Sequence, residues 1–183
     1  MSERRHRSIQ ARDDLDSLGL RGLLERQQHL LADVSALTSL ATRSREAEWV
    51  SLHAVARPIW SDAQTGDVTL RLGAEVPILA DREWVGLLLE SLLENVLTHA
   101  EPAEVRIGVE DDRFYVADGG SGIPIGDRDL LLEGGVSSTP AGSGYGLSVV
   151  KHVARAHDWG LRIQESDAGG TRVELTGVRV RTE

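Results

Sequence analysis

Between residues 84 and 100 the chain places Leu87, Leu88, Leu89, Leu92, Leu93, Val96 and Leu97 on nearly every face of one helix. A helix that is apolar all round is largely buried, so other elements must cover it. Asp81 is a good N-cap ahead of it, and Pro102 ends it. The flanking segments supply the cover. Asp67–Leu72 alternates as a strand and Val76–Leu79 reads as a second short one, with Gly73 between them. Glu104–Val109 and Arg113–Ala117 read as paired strands around Asp111-Asp112. A glycine-rich stretch follows from Asp118 to Gly146, broken by one short helical segment around Asp129–Glu133. Leu147–His157 reads as a helix, and Leu161–Gln164 with Arg172–Leu175 as a closing hairpin around Ala168-Gly169-Gly170. This order predicts a two-layer α/β domain, with helices on one face of a mixed sheet.

Upstream the period changes. Leu20, Gln27, Val34 and Ala41 are seven apart, and Leu23, Leu30 and Leu37 fill the intermediate positions. That is the a/d seam of a coiled-coil-like helix, which calls for a partner helix and makes a homodimer the expectation. Three segments result: a helical region over 1–48, a domain over 49–177, and a tail over 178–183. The net charge of −9 argues against a nucleic-acid binder, which needs a basic stripe. The chain has no cysteine, which excludes disulfides and thiolate metal sites. No apolar run approaches the ~20 residues of a spanning helix, so no membrane segment is expected in this chain. The charged stretch from Ser2 to Arg7 is not a secretory signal. A cytoplasmic location is expected, including that of a cytoplasmic part of a membrane sensor.

Three features carry chemistry. Ser91, Asn95 and His99 fall at i, i+4 and i+8 on the buried helix, one polar stripe that the protein's own backbone or a ligand must satisfy. Asp118-Gly119-Gly120-Ser121-Gly122-Ile123-Pro124 follows a strand. Its carboxylate can accept a hydrogen bond from an amino group, and its glycines can let a flat ligand reach the backbone; a surface turn has the same composition. Gly142-Ser143-Gly144-Tyr145-Gly146-Leu147 opens a helix, so free N–H groups can face an anion there. No Gly-Lys-Ser/Thr follows, so it is not a Walker loop, and it lacks the context of a dinucleotide site.

Taken in order, these motifs and a final Gly170-Thr171 resemble the ATP-binding domain of sensor histidine kinases, in the superfamily that includes the type II topoisomerase, Hsp90 and MutL ATPases. The N box resembles Leu88–His99, the first G box Asp118–Pro124, the second Gly142–Leu147, and the last element "GGTRVEL". The stretch "AHDWGLRIQESDAGGTRVELTGV" looks most like haloarchaeal kinases. The resemblance implies the Bergerat ATP-binding fold, with ATP and Mg²⁺ as cofactors. It implies that Asn95 holds the metal with Ser91 and His99 beside it. It further implies that Asp118 accepts the adenine amino hydrogen, and that Gly120, Gly122 and Ile123 let the base lie close. Gly142, Ser143, Gly144, Tyr145, Gly146 and Leu147 would line the triphosphate under a lid over Leu130–Thr139, and Thr171 would lie beneath the adenine. The implied activity is phosphorylation of a histidine for relay to a response regulator receiver domain. The alternative is a nucleotide-binding regulator that transfers nothing, or an anti-sigma-like Ser/Thr kinase.

The sequence departs from the pattern in places. Ser91 stands where an Asn is usual, Thr98 where a Lys or Arg is common, and Leu131 and Leu132 where the lid commonly has Phe. Leu30–Ala41 resembles the second helix of a dimerisation hairpin. His6 is the candidate phosphoacceptor, yet Arg7 rather than an acidic residue follows it, and His29 lacks the context as well. The acceptor helix therefore reads as missing or degenerate.

Overall fold

A computed structural model describes residues 46–63, 65–100, 104–126, 128 and 146–181. The seam helix, His6 and His29 lie outside these residues, as do most of the glycine-rich stretch and its expected helical turn at 129–133.

Strand β1 (Glu48–Val50) pairs antiparallel with β3 (Ile78–Ala80). The main sheet has the order β2-β4-β5-β7-β6, built from β2 (Thr69–Leu72), β4 (Glu104–Glu110), β5 (Arg113–Asp118), β6 (Gly160–Glu165) and β7 (Thr171–Thr176). Only β2 and β4 run parallel; the other pairs are antiparallel, so the sheet is mixed as expected. The helices are α1 (Leu52–Asp62), α2 (Arg82–His99) and α3 (Gly146–Ala156).

The strand register follows from alternation. On β5, Phe114 and Val116 are buried while Arg113 and Tyr115 are half-covered; on β7, Val173 and Leu175 are buried. These side chains join Val105 and Ile107 of β4, Leu88, Leu89, Leu92 and Leu93 of α2, and Val149, Val150 and Val153 of α3 in one apolar cluster. The period of two then assigns Asp118 and Thr171 to the helix-facing side of the sheet, with Tyr115, Arg172 and Glu174 on the other side.

Asp81 caps α2 as the sequence predicts: its Oδ1 accepts from the N–H groups of Glu83 at 3.0 Å and Trp84 at 3.2 Å, and its Oδ2 accepts from that of Glu46 at 2.8 Å. Pro58 lies inside α1 and has no N–H to give the Ala54 carbonyl; Arg82 Nη2 donates to that oxygen at 3.3 Å instead. The residues beyond 177, set apart in the sequence as a tail, are bound to the domain through Arg181. Val178 is buried, its N–H reaches the Asp112 carbonyl at 2.8 Å, and Val180 bridges Ile78. Among the described residues no helix is long and apolar enough to cross a membrane.

Candidate functional site

Asp118 closes β5 with its side chain only 4% exposed. One carboxylate oxygen, Oδ1, accepts from the Gly120 N–H at 2.8 Å and from the Thr171 N–H at 3.3 Å. Two backbone donors on one oxygen fix the rotation of the carboxylate, leaving Oδ2 with no partner among the described residues. The first donor belongs to the turn after β5 and the second to the start of β7.

The glycines explain how three backbone segments meet here. A Cβ on Gly120 would run into the carbonyl oxygen of Ala100 and lie 2.6 Å from its Cβ, so the turn packs directly on the C-cap of α2. A Cβ on Gly170 would run into both Oδ1 and the carbonyl oxygen of Asp118 and lie 2.6 Å from the Gly120 nitrogen. No side chain fits at either position. Gly122 adopts φ +72°, a left-handed conformation. Ile123 packs partly buried against the core, and its carbonyl accepts from Arg128 Nε at 2.8 Å.

Sequence reading missed Ser166. Its hydroxyl donates to the Asp118 carbonyl at 2.6 Å and accepts from the N–H groups of Gly170 at 3.0 Å and Ala168 at 3.3 Å. A serine just before Asp167-Ala168-Gly169-Gly170 is the signal that could have found it, since serine hydroxyls commonly close such turns on the backbone.

The polar stripe of α2 is present. Ser91 is buried, and Asn95 is half-buried with its Nδ2 sealed from solvent and without a hydrogen-bond partner among the described residues. A buried donor without a partner is uncommon, and a water, an ion or a ligand can supply one. His99 is the last residue of α2; its side chain lies outside the described structure. The stripe runs toward Ala100, the residue on which Gly120 packs, so α2 delivers Asn95 to the same end of the sheet as Asp118. At α3, Gly146 is the first helical residue and Leu147 packs against the core. Lys151, on the same helix, has its ammonium pushed below the usual lysine range by burial. Thr139, Gly142, Ser143, Gly144 and Tyr145 lie outside the described residues. The structure brings Asp118, Gly120, Gly122 and Thr171 together around the Gly169-Gly170 turn, while Ser91 and Asn95 lie on α2, whose C-cap Ala100 packs on Gly120, and Ile123 follows the turn. It also places the origin of α3 with Gly146 and Leu147.

This arrangement offers one oriented carboxylate acceptor among closely packed backbone segments, with an amide on the adjoining helix. Such an acceptor can take a hydrogen bond from an amino group. The comparisons agree in kind. A family model described as "Histidine kinase-, DNA gyrase B-, and HSP90-like ATPase" matches residues 80–180, more than half of the 183 residues. The signal transduction histidine-protein kinase/phosphatase MprB of Mycolicibacterium vanbaalenii is 35% identical over 105 residues, covering 51% of this chain and 22% of that protein. The chain thus spans about a fifth of that curated relative's length. The structure of a mycobacterial sensor histidine kinase MprB superposes with a TM-score of 0.63 at 23% identity, covering 74% of this chain and 100% of that one. The ATP-binding domain of PrrB from Mycobacterium tuberculosis superposes with a TM-score of 0.58 at 21% identity, covering 71% and 95%. These superpositions show the shared fold.

Proposed function

Because the chain belongs to the histidine kinase-, DNA gyrase B- and HSP90-like ATPase family and is homologous to the ATP-binding catalytic domains of two-component sensor histidine kinases, we propose that it binds Mg-ATP and presents the γ-phosphate to a histidine, for relay to the receiver domain of a response regulator. The observation that carries this reading is Asp118, a buried carboxylate with Oδ1 tied to two backbone N–H groups and Oδ2 left for a ligand. The exocyclic amino group of adenine is the donor that such an acceptor selects.

Asn95 is assigned to the metal end. Among the described residues no cluster of three or more His, Asp or Glu could hold a metal by itself. That suits Mg²⁺, which is commonly held by one or two protein oxygens together with phosphate oxygens. When bound, Mg-ATP supplies the phosphoryl group and the metal's neutralisation of its charge. Turning the Asn95 amide about its last torsion presents Oδ1 or Nδ2, so it can ligate a cation or donate to a phosphate. Ser91 fits beside it through its hydroxyl. Thr98 brings no cation, so more of the neutralisation rests on the metal. Gly142 to Gly146 are assigned to the triphosphate, and 130–139 with Thr139 to the lid. The nucleotide module proposed begins at 49 and takes in residues 178–181, which bond back to it, and 1–48 is a dimerisation helix that makes the protein a homodimer. A cytoplasmic location, as part of a membrane sensor, belongs to the same reading; the haloarchaeal likeness rests on the C-terminal stretch alone.

Calorimetric titration with ATP and GTP, with and without Mg²⁺, tests the proposal. GTP carries a carbonyl where ATP has the amino group. It should bind at least about tenfold more weakly, because a lost bond to a charged group is worth about 1.5–3 kcal/mol. Mg²⁺ should strengthen ATP binding. Equal affinity for the two nucleotides rules the base assignment out. Incubated alone with γ-labelled ATP, this chain should not label itself, since neither His6 nor His29 has an adjacent carboxylate to orient its ring. Acid-labile, alkali-stable label that disappears in His6→Ala would instead assign the acceptor to this chain.

A further inference from the structure

Ser166 makes five hydrogen bonds, all to the Asp118 carbonyl and the turn over 168–170. Its N–H reaches the Gly170 carbonyl at 3.0 Å and its carbonyl accepts from the Gly169 N–H at 2.9 Å. Its hydroxyl donates to the Asp118 carbonyl at 2.6 Å and accepts from Gly170 at 3.0 Å and Ala168 at 3.3 Å. The residue is 7% exposed, so water does not substitute readily for these partners. No other described side chain bonds both the strand that carries Asp118 and the hairpin that supplies its second donor.

The consequence is geometric. The Asp118 carboxylate is oriented by two N–H groups, and the one on Thr171 follows directly after Gly170 in the chain. Gly170 has no side chain with which to hold its own position, and its backbone lies against the carboxylate. The bonds from Ser166 supply that hold: they pin Gly170 and the Asp118 backbone to a single atom. Without the hydroxyl, the Asp118 carbonyl loses its donor and the hairpin can shift, so Oδ1 loses a fixed partner and Oδ2 loses its aim.

We infer that Ser166 is a positioning residue that aims the free oxygen of Asp118 at the base and thereby sets the site's preference for an amino-bearing purine. The inference rests on the adenine reading above. The test compares ATP with purine riboside triphosphate, which lacks the exocyclic amino group, by calorimetric titration of the full chain. Wild type should prefer ATP by about tenfold or more, the equivalent of one hydrogen bond to a charged group. Ser166→Ala should bring the two affinities within about threefold of each other by weakening ATP alone, because phosphate contacts are untouched and only the charged bond is lost. Ser166→Cys, nearly isosteric with a weaker donor, should fall between and carries the test if the alanine variant does not fold. In an Asp118→Ala background, Ser166→Ala should change ATP affinity no further. Val85→Ala, a core truncation in α2, controls for lost stability and should keep the wild-type preference. Parallel loss of both nucleotides in Ser166→Ala, or an unchanged preference, overturns the inference and leaves the adenine reading standing. A wild type without preference for ATP overturns both.

Discussion

The two ends of the proposed nucleotide site, a base end at Asp118 and a phosphate end at Asn95, are built in opposite ways. At the base end nearly every polar atom is already used: Asp118 Oδ1 holds two N–H groups, and Ser166 ties the hairpin to the strand. There the protein has bound itself, leaving one carboxylate oxygen without a partner among the described residues. At the phosphate end, α2 holds Asn95 with a sealed, unpartnered Nδ2. A satisfied network rigidifies a shape, whereas an unsatisfied buried group raises the free energy of the empty protein and falls when a ligand supplies its partner. The base end thus reads as a preformed gauge of ring chemistry. The phosphate end reads as a place with a polar group left for a ligand.

The sharpest way to break that comparison is at Asp118. In Asp118→Asn one end of the amide must face Gly120 and Thr171. If its oxygen does so, its NH₂ confronts the adenine amino group; if its NH₂ does so, it confronts two N–H donors. Affinity for ATP should fall by about 1.5–3 kcal/mol, the range for a hydrogen bond to a charged group. Calorimetry returning the wild-type value would remove Asp118 from base recognition. Gly170→Ala strikes the same end through sterics, since its Cβ meets the Asp118 carboxylate and carbonyl, which are backbone-anchored and cannot yield. Overpacking of this kind typically destabilises by about 1–3 kcal/mol. A thermal melt at the wild-type midpoint would show that the hairpin is looser than its contacts indicate.

At the phosphate end the opposite outcome is expected. Asn95→Ala removes an amide whose nitrogen has no partner, so the empty protein should not lose stability, whereas an unsatisfied buried donor left in place carries a penalty of about 1–3 kcal/mol. Adenosine affinity should stay level while the Mg²⁺-dependent gain in ATP affinity disappears. A melt lowered as far as that of Gly170→Ala would make Asn95 a structural amide.

How much of this was legible before the structure follows the same division. The main-sheet strands, β3 and two of the three helices followed from period: alternation at Arg113–Ala117 and the all-apolar stretch of α2 both survive with ends shifted by a residue or two, whereas α1 (Leu52–Asp62) was not read as a helix. The short strand β1 did not follow either, because three residues after a charged junction are too few to show alternation. Asp118, Gly120 and Asn95 were named because charge, glycine and a polar stripe stand out in a string of letters. Ser166 was not, because its importance lies in reaching Asp118 across 48 positions, and a serine beside a turn looks like any other. Composition reveals residues that oppose their surroundings; it conceals those that quietly satisfy them. The tail was misjudged on the same account, since Val178 to Arg181 are held by backbone hydrogen bonds to Pro77, Leu79 and Asp112, which leave no mark in side-chain pattern.

The smallest expected effects sharpen the comparison through pH. Glu90 lies on α2 with Asn95, and burial pushes its carboxyl above the ordinary 4.5, with Glu94 one turn on adding repulsion. Glu104 opens β4 at the base end, where its carbonyl accepts from the Gly119 N–H at 3.3 Å; hydrogen bonds from Arg71 and Arg106 pull its carboxyl below 4.5. The signs are opposite. A raised carboxylate penalises the folded state at neutral pH, and the penalty is relieved as pH falls through the raised value toward 4.5. A lowered one stabilises at neutral pH, and that support is lost progressively as pH falls from the ordinary 4.5 through the lowered value. Glu90→Gln should therefore raise the melting temperature at pH 7 slightly. About 0.2–0.5 kcal/mol is the scale of a like-charge pair four apart, reduced further where solvent screens it. The difference from wild type should close as pH falls to about 4.5. Glu104→Gln should lower the melting temperature at pH 7, and the deficit should close only in more acid solution. It should also shrink in molar salt, because Arg71 and Arg106 are exposed. Melts across pH at two salt concentrations decide the matter. If both variants move the midpoint in the same direction at pH 7, the charge environment does not separate the helix that carries Asn95 from the strand that backs Asp118.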